Sequence, residues 1–297
     1  MPDKDNMLVS YAFLFVLCLF IVSILAKNLK NNDMSINYTT EEDVNKTEII
    51  YDKDVDKGEP ADETPTVKKL LQSALLPIGN TLYVYGGGWN EDDTGAGEEA
   101  LTYGVSPRWY EFFKENDAEY NFEDTMYQMH DGLDCTGYVG FVVYQTFGNA
   151  YSDSGYVYPS KDMVIKYSSL FDSTFIDRAS VSRYYPGDIM GTDGHVFIVI
   201  GQCSDGSLLL VHASPPVVSI CGTKTHDGNA DSEAVRLAKQ YMAEYFPESY
   251  ARYDSYIRDT DFLTDYDQMH WNRNILPDPD GYDDMTPEEI LKDLFGE

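Results

Sequence analysis

The chain has 297 residues, 43% of them apolar, enough for one sizeable domain or two small ones. Its 51 acidic side chains against 21 basic ones leave a formal charge of −30 and no basic stripe, which excludes nucleic acid as a natural partner, because phosphate backbones are held by clustered Lys and Arg. Four cysteines (Cys18, Cys135, Cys203 and Cys221) are too few for a disulfide scaffold, though spacing alone leaves a Cys203–Cys221 bridge open.

After a short tail at 1–7, Leu8 to Ala26 runs without a charge. Nineteen residues at 1.5 Å each give roughly 28 Å, about the thickness of a bilayer's hydrocarbon core. Residues 8–26 therefore read as a transmembrane helix or signal anchor, with a cleaved signal peptide as the alternative. Lys27 and Lys30 after the segment, against Lys4 before it, lean towards a cytoplasmic C-terminus. Residues 27–66 are polar and poor in large apolar groups, so they read as a flexible tether.

Composition becomes globular from Val67. "VKKLLQSALLPIGN" predicts a short amphipathic helix stopped by Pro77 and Gly79, and "TLYVYGGGWN" a brief strand running into three glycines. "GLDCTGYVGFVVYQTFGN", residues 132–149, places Cys135 just before a twelve-residue apolar stretch closed by Gly148-Asn149, a helix length more than a strand length. A cysteine at a helix N-terminus faces unpaired N–H groups that stabilise a thiolate and lower its pKa. A buried, inert cysteine is the competing reading.

A nucleophile needs a base, and five histidines are available: His130, His195, His212, His226 and His270. A Pro186-Gly187 turn, a strand from His195 to Ile200, a loop through Asp205-Gly206 and a strand from Leu208 to His212 predict a β-hairpin. A tight Asp205-Gly206 turn would set His212 opposite Val199, too far from His195 for a hydrogen bond. A wide loop would oppose the two histidines, and a bulge would make them diagonal neighbours.

Beyond Gly228 the sequence predicts helix broken at Pro247, then an acidic, turn-rich tail closed by a short helix from Thr286. Asp278, Asp280 and Glu289 fall at calcium-loop positions, but Asp283 stands where the sharp turn needs glycine, so the tail reads as solvated charge.

Four blocks in order, "YVYGGG" at 83–88, "GLDCTGYV" at 132–139, "PGDIM…GHVFIVIG" at 186–201 and "LLLVHAS" at 208–214, resemble the NlpC family of papain-like cysteine peptidases of bacterial cell walls. The resemblance implies an α+β, papain-like fold, an antiparallel sheet packed against a helix carrying the nucleophilic cysteine, here preceded by one transmembrane helix. It implies a catalytic domain at 67–228; the chain departs from the family pattern in an insert at 89–131, read as a lid or groove wall, and in an acidic helical extension at 229–297 with no counterpart there. By the same resemblance Cys135 is the nucleophile, His195 the base and His212 the residue orienting the imidazole. Tyr83, Asp134, Thr136 and Gly194 are the implied substrate contacts. No metal or organic cofactor is expected. The implied activity is cleavage of amide bonds in peptidoglycan stem peptides, between D-glutamate and a diamino acid, with the domain outside the cell facing the wall. The alternatives are an amidase like the related CHAP group, cutting between muramic acid and L-alanine, or a catalytically silent wall-binding protein.

Overall fold

The computed structural model describes residues 64–297. The anchor expected at 8–26 lies outside the described residues, as does the tether but for its last three. Among the described residues no helix is long and apolar enough to cross a membrane.

Among the described residues, seven α-helices and seven strands make an α+β fold. The helices are α1 (Val67–Leu75), α2 (Pro107–Glu115), α3 (Cys135–Phe147), α4 (Ser160–Leu170), α5 (Glu233–Tyr245), α6 (Pro247–Tyr253) and α7 (Pro287–Phe295). The strands are β1 (Thr174–Ile176), β2 (Ile189–Gly191), β3 (Val196–Gln202), β4 (Leu208–Ser214), β5 (Val217–Thr223), β6 (Asp259–Thr260) and β7 (Asp267–His270). They form one sheet in the order β1-β7-β2-β3-β4-β5-β6, antiparallel except for the β5–β6 pair.

Helix α3 is buried along its whole length, as an all-round apolar helix must be. Its Val139, Phe141 and Val143 share a core with Val196, Ile198 and Ile200 of β3 and Val211 of β4. Helix α1 buries Val67, Leu70, Leu71 and Ala74, the helical spacing of one face, in the same core. The Tyr138 hydroxyl donates to the Ala74 carbonyl at 2.8 Å and so ties α3 to the end of α1. The opposite sheet face carries a smaller cluster: Tyr184, Phe197, Val199, Leu208, Leu210, Cys221 and Tyr266. Cys203 and Cys221 are both buried free thiols, so no bridge joins them.

The insert at 89–131 folds onto α3. Trp109 of α2 is fully buried, edge-on to Phe141 at 5.3 Å between ring centres. Arg252 of α6 donates to the carbonyls of Phe113 and Asn116, both at 2.7 Å, closing the end of α2.

The segment expected as a helical extension supplies two strands as well as helices. Strand β7 inserts between β1 and β2 (Phe175↔Met269, Ile189↔Met269), and β6 pairs with the far edge of β5. Pro287 and Ile290 of α7 cover Gly201 of β3. Asp188, fully buried, locks β2 to β7 by accepting from His270 Nδ1 at 2.8 Å and from the Gln268 amide.

Candidate active site

Asp134 builds the start of α3. One of its carboxylate oxygens accepts from the backbone N–H groups of Thr136 (2.9 Å) and Gly137 (2.7 Å) and from the Thr136 hydroxyl (2.8 Å). The other oxygen accepts from Gly86 N–H at 3.2 Å. This is an N-cap that also fastens the glycine loop to the helix. The Thr136 hydroxyl in turn accepts from Trp89 Nε1 at 2.8 Å. Asp134 and Thr136, implied as substrate contacts, thus have their polar atoms engaged within the protein.

Cys135 is the first residue of α3, as the sequence pattern suggests, and is 8% exposed. Its sulfur meets the backbone N–H groups of Val196 and Thr136 as well as its own, which sets the thiol against the residue that follows His195. These donors favour a thiolate, but burial, with the Asp134 carboxylate adding to it, pushes the thiol up to about 12. The lowering expected from a helix N-terminus is therefore outweighed by desolvation. Burial also raises the phenol of Tyr83, with the Cys135 and Asp134 charges adding to the shift. Tyr83 is held from outside by the insert, since Tyr120 donates its hydroxyl to the Tyr83 carbonyl at 2.8 Å.

His195 and His212 meet directly, Nε2 to Nδ1 at 3.0 Å. The hairpin register explains how. Cys203 N–H bonds the Ser207 carbonyl, making a three-residue loop in which Gly206 has a φ of +83°. A bulge between Val199 and Gly201 then shifts the pairing once more, to Val199↔Leu210 and Ile198↔Val211. Continued one step, that register sets His212 opposite Phe197, so His195 is its diagonal neighbour on the same face. Of the three arrangements left open by the sequence, the bulge is the one that forms.

Burial holds His195 down to about 4 and His212 well below the ordinary range, the latter also through the neighbouring His195 and Arg258. Both imidazoles and the thiol are thus neutral at pH 7. With the His195–His212 hydrogen bond using His195 Nε2, Nδ1 is the nitrogen left to exchange a proton with a thiol. Gly194, the last implied substrate contact, is exposed and donates its N–H to the Ser160 hydroxyl at 3.0 Å.

Two aromatic residues invisible to the motif reading roof the histidines. Phe262 lies 5.0 Å from the His195 ring and 5.8 Å from the His212 ring. Tyr266 stands edge-on to His195 at 6.5 Å, and its phenol is raised by burial and then by Cys135. Their sole sequence signal is a pair of aromatic residues four apart in an acidic run. The remaining histidines are elsewhere: His130 on Glu99 at 2.6 Å, His270 on Asp188, and His226 near Gly206. Cys203, Asp205 and Glu233 have ligand atoms close enough for a metal ion, but both carboxylates are already occupied by Ser204, Ser207 and backbone N–H groups. Comparison of the chain with family models, with curated proteins and with solved structures finds no match.

Proposed function

We propose that the chain is a cysteine peptidase of the NlpC type that cleaves amide bonds in peptidoglycan stem peptides. The observation that carries this is that the Cys135 thiol, at the start of a buried helix, lies against the backbone of Val196, the residue after His195, while His195 bonds His212 at 3.0 Å. With Nε2–H donating to His212, His195 takes the thiol proton on Nδ1 as the sulfur attacks the amide carbonyl, then returns it to the leaving amine. Water hydrolyses the thioester, with His195 acting as base again. In this reading the Cys135 N–H, at the helix start and so without an intrahelical acceptor, stabilises the oxyanion. This reading puts the domain outside a membrane, on the wall side, tethered through residues 8–26.

The test is cleavage of purified muropeptides, with products identified by the new amine they carry. Release of a diamino-acid amine that Cys135→Ala abolishes supports the proposal, whereas a free L-alanine amine points to the CHAP-type amidase. The neutral thiol and imidazole favour one other reading, a catalytically silent wall-binding protein. Intact wild type that binds muropeptides but never cleaves them would establish it.

A further inference from the structure

Cys135 is 8% exposed, too little for an amide with a residue on either side to reach its sulfur. Attack on a peptide therefore needs one of the covers over the thiol to move. Two tyrosines supply those covers: the phenols of Tyr83 and Tyr266 are both raised by burial and then by the Cys135 charge.

The Tyr83 side is pinned. Its N–H donates to the Pro216 carbonyl at 2.9 Å, its carbonyl accepts the Tyr120 hydroxyl at 2.8 Å, and its backbone bridges to Leu133. Phe122 stands edge-on to its ring, 5.5 Å between centres.

The Tyr266 side is built differently. Strand β6 fixes one end of a strap through Gly222↔Asp259 and Thr223↔Thr260, and β7 fixes the other from Asp267, whose carboxylate accepts from Arg178. Between these ends, residues 261–266 are neither helix nor strand, and Asp261, Thr264 and Asp265 are exposed. The span is held at its margin, where the Tyr184 hydroxyl donates to the Leu263 carbonyl at 3.1 Å and Lys224 pairs with Asp261 at 3.1 Å. Asp265 has a φ of +66°, a sparsely populated backbone that stores strain beside Tyr266. Phe262 is the inward anchor. It stacks on Phe197 at 5.4 Å and lies 5.0 Å from His195, 5.8 Å from His212 and 5.2 Å from Tyr266, between ring centres. A segment with so few hydrogen bonds opens locally at far less cost than the sheet that carries it.

We propose that residues 261–266 are an autoinhibitory strap: closed, Phe262 and Tyr266 cover His195, His212 and Cys135, and the strap swings out from its strand-fixed ends to admit substrate. The inference rests on the reading of Cys135 as nucleophile and adds a gate to it. The pinned Tyr83 side stays in place as the fixed wall.

The experiment reads the Cys135 thiol in the full chain, not cleavage. Alkylation by iodoacetamide is followed at one pH by peptide mass spectrometry, with the fully buried Cys221 thiol reporting global unfolding. In wild type, low urea should leave the Cys135 rate nearly flat while it speeds Cys221, because a local opening exposes little surface. Phe262→Ala should accelerate Cys135 by roughly ten- to a hundredfold, through the loss of several aromatic contacts. Tyr184→Phe, which removes the bond to Leu263, should accelerate it roughly fivefold. Neither should change Cys221. A Cys135 rate that climbs with urea in step with Cys221, or that Phe262→Ala leaves unchanged, overturns the strap. If Phe262→Ala speeds both thiols, Tyr184→Phe decides: acceleration of Cys135 alone supports the strap, and no acceleration overturns it. A protein that cleaves muropeptides while its thiol ignores these changes loses the gate and keeps the peptidase reading. A selective response of Cys135 in a protein that cleaves nothing does the reverse.

Discussion

Replacing Gly137 by alanine should test how tightly helix α3 is seated. A Cβ at 137 would lie 2.0 Å from the Gly87 carbonyl oxygen, 2.9 Å from its carbon and 3.0 Å from Gly88 Cα. Real Cβ contacts essentially never fall under 3.0 Å, so the glycine loop or the helix must recede by about 1 Å. The obstructing oxygen is not free to move, because it accepts the Asp134 N–H at 3.0 Å. Overpacking costs about 1–3 kcal/mol and loss of a buried hydrogen bond about 1 kcal/mol. Alanine's better helix propensity returns about 1 kcal/mol. The net expectation is a destabilisation of about 1–3 kcal/mol, read as a lower urea midpoint at unchanged slope. Gly95→Ala is the control, since a Cβ there meets nothing within 4 Å and should stay within about 0.5 kcal/mol of wild type. Because the displaced loop is fastened to Asp134 and leads back to Tyr83, activity should fall further than stability, on the order of a hundredfold for a 1 Å misplacement. Gly137→Ala with wild-type stability would refute the seating argument, since no arrangement of these backbones accommodates that Cβ at no cost.

Three other outcomes follow from the same geometry. Alkylation of Cys135 by iodoacetamide, followed by mass spectrometry to separate it from Cys203 and Cys221, should accelerate continuously from pH 7 to pH 10, since burial pushes the thiol up to about 12; a plateau below pH 8 would mean a resting thiolate. With burial holding His195 down to about 4, its imidazole stays neutral well below pH 6.5, and under the proposed mechanism it is the base. The acid limb of kcat/KM should therefore fall near pH 4, and a limb at 6.5 would contradict the desolvated pair. Tyr138→Phe removes the bond to the Ala74 carbonyl and should cost about 1–2 kcal/mol in denaturant melts, whereas an unchanged midpoint would show that the α1–α3 tie is inconsequential.

What the sequence discloses about this fold is what short-range chemistry encodes. Asp134, Cys135 and Gly148 punctuate α3 within one stretch, and the hairpin carrying His195 and His212 is bounded by its own turns. The bulge that makes the histidines meet is not encoded by any turn residue. Side chains keep alternating through it, Ile200 in the helix-side core and Val199 in the opposite cluster. Helix α2 carries a readable signal, Pro107 at its start with Trp109 and Phe113 four apart on the buried face, although an insert invites reading as a loop. Strand β7 carries almost none. Its Gln268 is polar yet fully buried, because its amide bonds Asp188 and the Arg183 carbonyl, 80 or more residues earlier. A strand whose burial depends on distant hydrogen-bond partners cannot show apolar alternation.

The C-terminal segment couples fold to site through register. Strand β7 pairs with β2 by Ile189↔Met269, Met190↔Gln268 and Gly191↔Asp267, and β2 pairs with β3, the strand that His195 precedes. Tyr266 is the residue immediately before β7, and the chain from Arg258 to Phe262 leads into it. The pairing that buries Met269 therefore also sets how far Tyr266 and Phe262 reach over the histidines. A slip of one residue would turn Met269 to the opposite face and withdraw Tyr266 from His195. Asp188 opposes such a slip, since its two oxygens read His270 and Gln268, residues two apart on the same side of β7. A buried carboxylate in that position costs desolvation, which raises its pKa against the pull of His270. Its return is specificity of alignment: the one register that satisfies Asp188 is the one that roofs His195 and His212.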